Sequence, residues 1–384
     1  MILLNKFCKR VLIMKIALCT EIMYPVFGVE RRVFEMAKRL PKHGYEVDLY
    51  TSTPPSDMEG SGLNVIQVSD STIKNPPKRN YFNCVAFWLN LFRKLSASKC
   101  DIIDANGHMS LLPCSLAAKM RNRASIATIH DMYIGEWRGM YSGIMALPGA
   151  PFEFFSAKMH FDKFLCVNTT LRRKLISIAG IDAGAIRVLQ SGIDTRFIDK
   201  IKSGRKKQRI LFVNRLAPQK SADTLIRAYA RLDKETRDEY ELCVVGKGRE
   251  RENLEALAKS LGVGVNFTGF VKSDADVMKM MKESEIFVLS SRRESLGLSV
   301  LEAMYSRCAV VSTACDGPRD YIAHGRNGLL TEIGSPESMT HALTRAIEDG
   351  KLRKRMQASA RQTAKGYDWD IVVKRIAAVY GEML

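Results

Sequence analysis

Short apolar runs alternate with helix-period stretches along almost the whole of this chain. Met14–Thr20 ("MKIALCT"), Glu46–Thr51, Asp101–Asn106 ("DIIDAN"), Ser125–His130 ("SIATIH"), Lys163–Asn168 ("KFLCVN") and Ile186–Leu189 read as buried strands. Between the first two, Val29, Val33, Met36, Ala37 and Leu40 recur at helical spacing, so strand, glycine loop, helix and strand follow in order. That order predicts a right-handed parallel unit, and its repetition predicts a doubly wound sheet with ligands beyond the carboxyl ends of its strands. A second series begins at "RILFVNRLAPQK", where a strand and loop lead to a helix striped by Leu225, Ile226, Tyr229 and Leu232. "YELCVVGKGRERENLEALAKSLGV" repeats the theme around Gly246-x-Gly248, and the strand-like Glu285–Ser290 ("EIFVLS") precedes helix-spaced Leu298, Leu301 and Met304. Between the two series, "QSGIDTRFIDKIKSGRKKQ" ends polar, basic and turn-prone, which predicts a domain boundary near residues 190–207. The expected domains are 1–190 and 207–366.

Two segments break the pattern. Residues 78–95 ("KRNYFNCVAFWLNLFRKL") form a helix candidate that is apolar almost all round, with Asn83, Asn90 and Lys94 marking a polar side that also holds Phe87. Burial against the first sheet explains such a stripe, and so does docking on a membrane through an exposed aromatic and flanking cations. "MALPGAPFEFF" (145–155) offers a second greasy surface. At the start, "MILLNKFCKRVLI" precedes a second possible initiator, Met14, so residues 1–13 are an extension or a misassigned start.

Composition narrows the class. A chain of 384 residues, 46% apolar and 26% charged, has room for two domain cores. Its nine cysteines are scattered without a close pair, which reads as reduced, buried thiols of a cytoplasmic protein rather than a disulfide or zinc framework. No apolar run approaches the roughly 18 residues of a membrane span, and no cleavable signal pattern opens the chain. The net charge of +18 calls for an anionic neighbour. No zinc finger, helix-turn-helix or RNA-binding aromatic motif is present, so nucleic acid is set aside in favour of anionic lipid or a diphosphate.

The chemistry concentrates in "SSRRESLGLSVLEAMYS", where seven residues separate Glu294 from Glu302. Strand, loop and helix follow in that order. Gly297 lets the backbone approach a ligand, and the amides at the start of the next helix, from Leu298 on, suit a diphosphate. Glu294 on the loop and Glu302 a turn into the helix can accept hydrogen bonds from sugar hydroxyls; equally, two solvated acids near a helix start stabilise its dipole. Arg215 and Lys220 on the loop after "RILFVN" read as surface charge or as an anion clamp. Gly28 makes a turn or admits a phosphate, and His130 ends a strand as a structural or a catalytic histidine. The third glycine of a dinucleotide fingerprint is missing after Gly248, so no nicotinamide or flavin is expected.

Taken together, the acidic pair followed by "EAM", the "TIHD" string at His130, "SGID" at 191–194, the loop cations and the tail "YDWDIVVKRIAAVYGEML" resemble glycosyltransferase family 4, of the "glycosyl transferases group 1" type. The resemblance covers nearly the whole chain. It implies the α/β GT-B fold: two Rossmann-like domains facing across a cleft, the first binding the acceptor and the second the donor, with a C-terminal helix (367–384) crossing back to the first. It implies retaining, metal-independent hexosyl transfer from a UDP- or GDP-sugar to a lipid-linked or cell-surface glycan acceptor, on the inner face of the cell membrane. His130, Glu294, Arg215 and Lys220 would be catalytic; Gly28, Arg215, Lys220, Gly297, Leu298 and Glu302 would bind the donor. The chain departs from the family at Val29, Asn214 and Ser221, where glycine is usual, and at Arg307 and Ala309, where glycine and proline are usual. A nucleotide-sugar epimerase of the same fold and a non-catalytic nucleotide-sugar binding protein are the rival readings.

Overall fold

The run Met14–Thr20 is buried without alternation, Ile16 to Cys19 being fully enclosed, as a central strand covered on both faces requires. A computed structural model describes residues 13–21, 28–52, 62–68, 81–133 and 149–383. In it the chain divides into two compact units. The first runs up to Leu165 and takes in Leu175–Arg187 and everything from Val373; the second holds Cys166–Lys174 and Val188–Val372.

The first unit carries a seven-stranded sheet of order β3-β2-β1-β4-β5-β6-β7. The strands are β1 (Met14–Thr20), β2 (Tyr45–Thr51), β3 (Asn64–Gln67), β4 (Ile102–Asn106), β5 (Ala124–Ile129), β6 (Lys163–Cys166) and β7 (Ile186–Val188). Pairing is parallel, with Ile16 opposite Ile102 and Val47 on either side. The strand β3 was not marked in the sequence, because it is a half-exposed edge of four residues with neither a buried run nor clean alternation.

The second unit repeats the architecture with β8 (Lys207–Val213), β9 (Glu241–Val245), β10 (Val265–Gly269), β11 (Ser284–Leu289), β12 (Ala309–Thr313) and β13 (Leu329–Thr331). Their order is β10-β9-β8-β11-β12-β13, all parallel. Successive residues feed opposite cores: Phe212, Val244 and Val288 join Leu225, Ile226 and Leu343 on one side, while Leu211, Val245 and Phe287 join Val300, Leu301 and Met304 on the other. The stretch read as a link is partly structured. It holds a helix, Thr195–Lys200, capped by Asp194, whose carboxylate accepts from the Phe197 amide at 2.8 Å, and Ile193 and Ile198 are buried in the second unit's core. The last helix, Trp369–Gly381, starts in the second unit with Trp369 fully buried and ends in the first.

The apolar helix, Tyr81–Ala97, corrects the expected orientation. Phe87 is 2% exposed and lies with Leu91 and Leu95 on the inward face, whereas Val85 and Leu89 point outward, 47% and 60% exposed. Tertiary partners decide this: Trp88 donates from Nε1 to the Met109 carbonyl at 2.9 Å and stacks on Phe152 at 5.7 Å between centroids. The helix rotates to satisfy those contacts, not to hide its most apolar side. Residues 78–80 lie outside the described chain, as do 1–12 and 145–148 of the segments singled out above. From Gly149 the chain forms the helix Gly149–Ala157, which buries Glu153 and exposes Phe155. Among the described residues eight cysteines are unbridged, all but Cys84 buried, and no helix is long and apolar enough to cross a membrane.

Candidate active site

In the second unit the strand order reverses between β8 and β11, the position beyond the carboxyl ends of the strands where open α/β sheets bind ligands. Those loops are 214–221 and 290–297. The first is wedged in place by the Gly246-x-Gly248 turn. A Cβ at Gly246 would lie 1.9 Å from the Asn214 carbonyl oxygen, and one at Gly248 would lie 2.1 Å from that of Leu216. Close packing therefore explains both glycines, and two amide bonds exploit it: Asn214 N to Val245 O at 3.1 Å and Leu216 N to Lys247 O at 3.0 Å. Arg215, at the crest of this loop, is exposed.

The two loops are stitched together. Arg292 N donates to Gln219 O at 2.9 Å, Ser290 Oγ to Lys220 O at 3.1 Å and Arg292 Nε to Ser221 Oγ at 2.9 Å. Across this seam Lys220 Nζ donates to Glu294 Oε2 at 2.6 Å, with the two side chains only 12% and 19% exposed. Ser291 Oγ reaches the same oxygen at 3.5 Å. A pair so enclosed is a charge-assisted contact with little solvent screening. Gly297 then caps the helix Leu298–Tyr305 with φ +78°, and a side chain there would press on the Tyr321 hydroxyl at 3.2 Å and Glu294 Cγ at 3.3 Å. The first intrahelical bond runs from Val300 N to Gly297 O, which leaves the amides of Leu298 and Ser299 ahead of the ladder. Glu302 follows one turn on, 8% exposed.

Two departures from the family pattern acquire a structural meaning. Ser221 and Arg307 stand where the family places glycine, and their backbones take φ +46° and +62°. Left-handed backbone costs an L residue about 1–2 kcal/mol. The chain thus keeps the glycine conformations without the glycines.

In the first unit, Gly28 opens the helix Gly28–Arg39, and His130 follows β5. His130 is buried, and its Nε2 lies 3.5 Å from Asn106 Oδ1. Asn106 Nδ2 in turn donates to Asp104 Oδ1 at 3.2 Å, so its oxygen faces the imidazole and accepts from Nε2–H, which leaves Nδ1 as the acceptor of the ring. Burial, then the guanidinium of Arg32 and the neighbouring His108, hold the His130 pKa well below the usual imidazole value. Asp104 is fully buried on β4. Burial raises its pKa although it accepts from Tyr380 Oη at 2.6 Å, Thr128 Oγ1 at 2.9 Å and Asn106. His108 Nε2 donates to the Asp131 carbonyl at 2.8 Å.

Six of the predicted residues, Arg215, Lys220, Glu294, Gly297, Leu298 and Glu302, belong to the second unit, where Lys220 and Glu294 meet directly. His130 and Gly28 belong to the first. Sequence reasoning noted Ser221 only as a departure from glycine and did not single out Arg292, nor, in the first unit, Asp104, Asn106 and Arg32. The signal for Asp104 and Asn106 was present as polar residues inside the apolar run "DIIDAN". Among the described residues no group of three or more histidines, cysteines or carboxylates is placed to hold a metal ion.

Comparison with known proteins bears on the family and the fold. The profile described as "Glycosyltransferase Family 4" matches residues 26–197, and that described as "Glycosyl transferases group 1" matches residues 194–363. An uncharacterized glycosyltransferase of Methanocaldococcus jannaschii is 27% identical over 96% of this chain and 98% of its own length. A D-inositol 3-phosphate glycosyltransferase of Acidothermus cellulolyticus is 26% identical over 93% of this chain and 86% of its own. Among solved structures, Anabaena HepE in complex with UDP and glucose superposes with a TM-score of 0.77 at 19% identity, over 96% of this chain and all of that one. With two parallel Rossmann-like sheets, a full-length relative and two profiles that between them run from residue 26 to residue 363, this chain is a GT-B glycosyltransferase and belongs to glycosyltransferase family 4.

Proposed function

We propose that this chain moves a hexosyl group from a UDP- or GDP-sugar, with retention at the sugar carbon, to a lipid-linked or cell-surface glycan acceptor. The observation that carries the donor half is the enclosed Lys220–Glu294 pair at the strand-order reversal, beside the open first turn of the helix that Gly297 caps. A cation and a carboxylate held 2.6 Å apart suit a ligand that presents phosphate and hydroxyls side by side. Arg215 and Lys220 neutralise the departing diphosphate with help from the amides near Leu298, and they supply the positive charge without a metal. Glu302 holds the ribose and Glu294 the hexose. His130, neutral and presenting Nδ1 as an acceptor, binds a sugar hydroxyl, and the backbone at Gly28 admits the donor's phosphates. The bond from the sugar carbon to the diphosphate oxygen breaks, the acceptor oxygen attacks from the same face, and its proton passes to the departing diphosphate. The complexes with UDP and with UDP and glucose formed by structural neighbours support this donor class.

The acceptor half rests on the outward surface of the first unit. Val85 and Leu89 on one helix, Leu116 and Met120 on the neighbouring His108–Arg121 helix, and Phe155 are exposed apolar residues interspersed with exposed Arg93, Lys94, Lys119, Arg121 and Lys158. Apolar side chains ringed by cations suit the interface of an anionic membrane, where a lipid-linked acceptor is met from the cytoplasmic side. A water-soluble phosphorylated acceptor is the second reading, favoured by the name of the Acidothermus relative.

The test begins with the folded state. A ligand at 100 times its Kd stabilises the native protein by about 2.7 kcal/mol, which raises Tm. Among UDP, GDP, ADP and their common sugars, one base is expected to shift Tm in the wild type and not in Arg215→Ala. Radiolabel from that donor is then expected in membrane lipid extracts, and Glu294→Gln is expected to lose turnover. Donor consumption without any acceptor points to an epimerase. A shift without turnover points to a binding protein, and no shift with any nucleotide overturns the donor site.

A further inference from the structure

The strained serine beside Lys220 asks what it gains over glycine. Ser221 is 1% exposed and holds φ +46°, ψ +47° at the start of the helix Ala222–Ala230. Glycine would take that backbone without penalty. What serine adds is a hydroxyl, which donates to Pro218 O at 3.2 Å and accepts from Arg292 Nε at 2.9 Å. Strain that persists at a buried position points to a use for the group that causes it.

That group fixes a guanidinium. Arg292 is held at two points, by its backbone amide on Gln219 O and by its Nε on Ser221 Oγ. Among the described residues its terminal Nη atoms have no protein partner, and the residue is exposed. It stands two residues before Glu294, whose carboxylate takes Lys220, so Arg292 is anchored to both neighbours of the lysine in the loop. An arginine tethered through Nε has less freedom to lose on binding an oxyanion with its remaining nitrogens.

We propose that Arg292 is a third cation for the donor's diphosphate, beside Arg215 and Lys220, and that Ser221 is the positioning residue that holds it. This rests on the donor reading above. Arg292 donates to phosphate oxygens through its Nη atoms, and Ser221 acts only through Arg292. The serine in a glycine conformation is therefore a feature of phosphate recognition in this chain and not a scar of drift.

Equilibrium titration of the full chain with UDP, GDP and ADP, and with the nucleoside of whichever binds best, tests this in the wild type, Arg215→Ala, Arg292→Gln, Ser221→Gly and the Arg292→Gln/Ser221→Gly double variant, each checked for an unchanged unfolding profile. Arg292→Gln is expected to raise Kd for the diphosphate about tenfold, the size of a lost charge-assisted hydrogen bond, and to leave the nucleoside's Kd unchanged. Ser221→Gly is expected to raise Kd about threefold in the wild type and to have no effect in the Arg292→Gln background, the non-additivity of residues that act as one unit. Donor KM should follow Kd while kcat falls less. If Arg215→Ala loses the nucleotide but Arg292→Gln binds it like wild type, this proposal fails while the donor site stands. If Ser221→Gly weakens binding equally in both backgrounds, the serine is not acting through Arg292 and its role is overturned. If the wild type binds none of the three nucleotides, both readings fall together.

Discussion

A buried imidazole has a sign that can be tested. His130 is neutral in the folded chain because burial and the Arg32 charge oppose its protonation, whereas in the unfolded chain it titrates near 6.5. The unfolded state therefore binds more protons as pH falls below about 6.5, so the stabilisation is complete above that value and is lost as pH drops toward the depressed folded pKa. His130→Asn should flatten the decline in stability between pH 6.5 and acid, as read by urea midpoints at several pH values; a slope equal to wild type would mean the ring protonates freely in place. The residue scale is also where the sequence is easiest to misread. Glu294, Lys220 and His130 were visible as residue types at the ends of strands, but the Lys220–Glu294 contact joins positions 74 apart, and no spacing rule predicts it. Ser221 and Arg307 looked like lost glycines, yet both keep the left-handed backbone, so the substitutions changed side chains and not the course of the chain.

Elements carry the loops, and their close approaches set how much change they tolerate. Gly248 packs so tightly on Leu216 that an added Cβ would come within 2.6 Å of the Leu216 carbonyl carbon as well as 2.1 Å of its oxygen. Backbone cannot swing aside as a side chain can. Gly248→Ala is expected to destabilise by about 1–3 kcal/mol, the range of overpacking, and to weaken nucleotide binding as the loop bearing Arg215 shifts. Unfolding curves and a nucleotide titration would check it, and wild-type values in both would show that the loop relaxes freely. The same scale explains the rotated helix Tyr81–Ala97. A wheel drawn from its sequence sets Phe87 among Asn83, Asn90 and Lys94, yet Phe87 and Leu91 are covered while Val85 and Leu89 are exposed; Trp88, seated on Met109 and Phe152, fixes that face inward.

At the scale of the whole molecule, the proposed membrane docking would draw both on the charge of +18 and on the exposed apolar residues of the helices at 81–97 and 108–121. Each Lys or Arg near an anionic bilayer contributes about 1 kcal/mol at low salt, and apolar insertion adds a term that salt does not screen. Sedimentation with phosphatidylglycerol vesicles should therefore capture the wild type at low salt, release most of it at high salt, and capture the Leu89→Glu/Leu116→Glu variant several-fold less well at either. Equal capture of the variant would place the membrane contact elsewhere or leave the soluble phosphorylated acceptor as the better reading.

By itself the sequence determined that the chain makes two parallel α/β sheets, because buried runs flanked by helix-period stripes allow few other solutions and the connection between parallel strands has one hand. It also located the strand ends from which Arg215, Lys220, His130 and Glu294 emerge, since chemistry on such a fold gathers at carboxyl ends. Strand β3 escaped it because a short, half-exposed edge has no periodic signature, and the structured link escaped it because Ile193 and Ile198 are buried by residues far along the chain. Tertiary structure alone decided which side chains meet: the lysine with the glutamate, the strained serine with Arg292, Tyr380 of the last helix with Asp104 of β4. The physical reason is range. Periodicity and turn chemistry act over a few residues and are written locally, whereas a hydrogen bond between residues 276 apart exists only once the end of the chain has returned to the first unit.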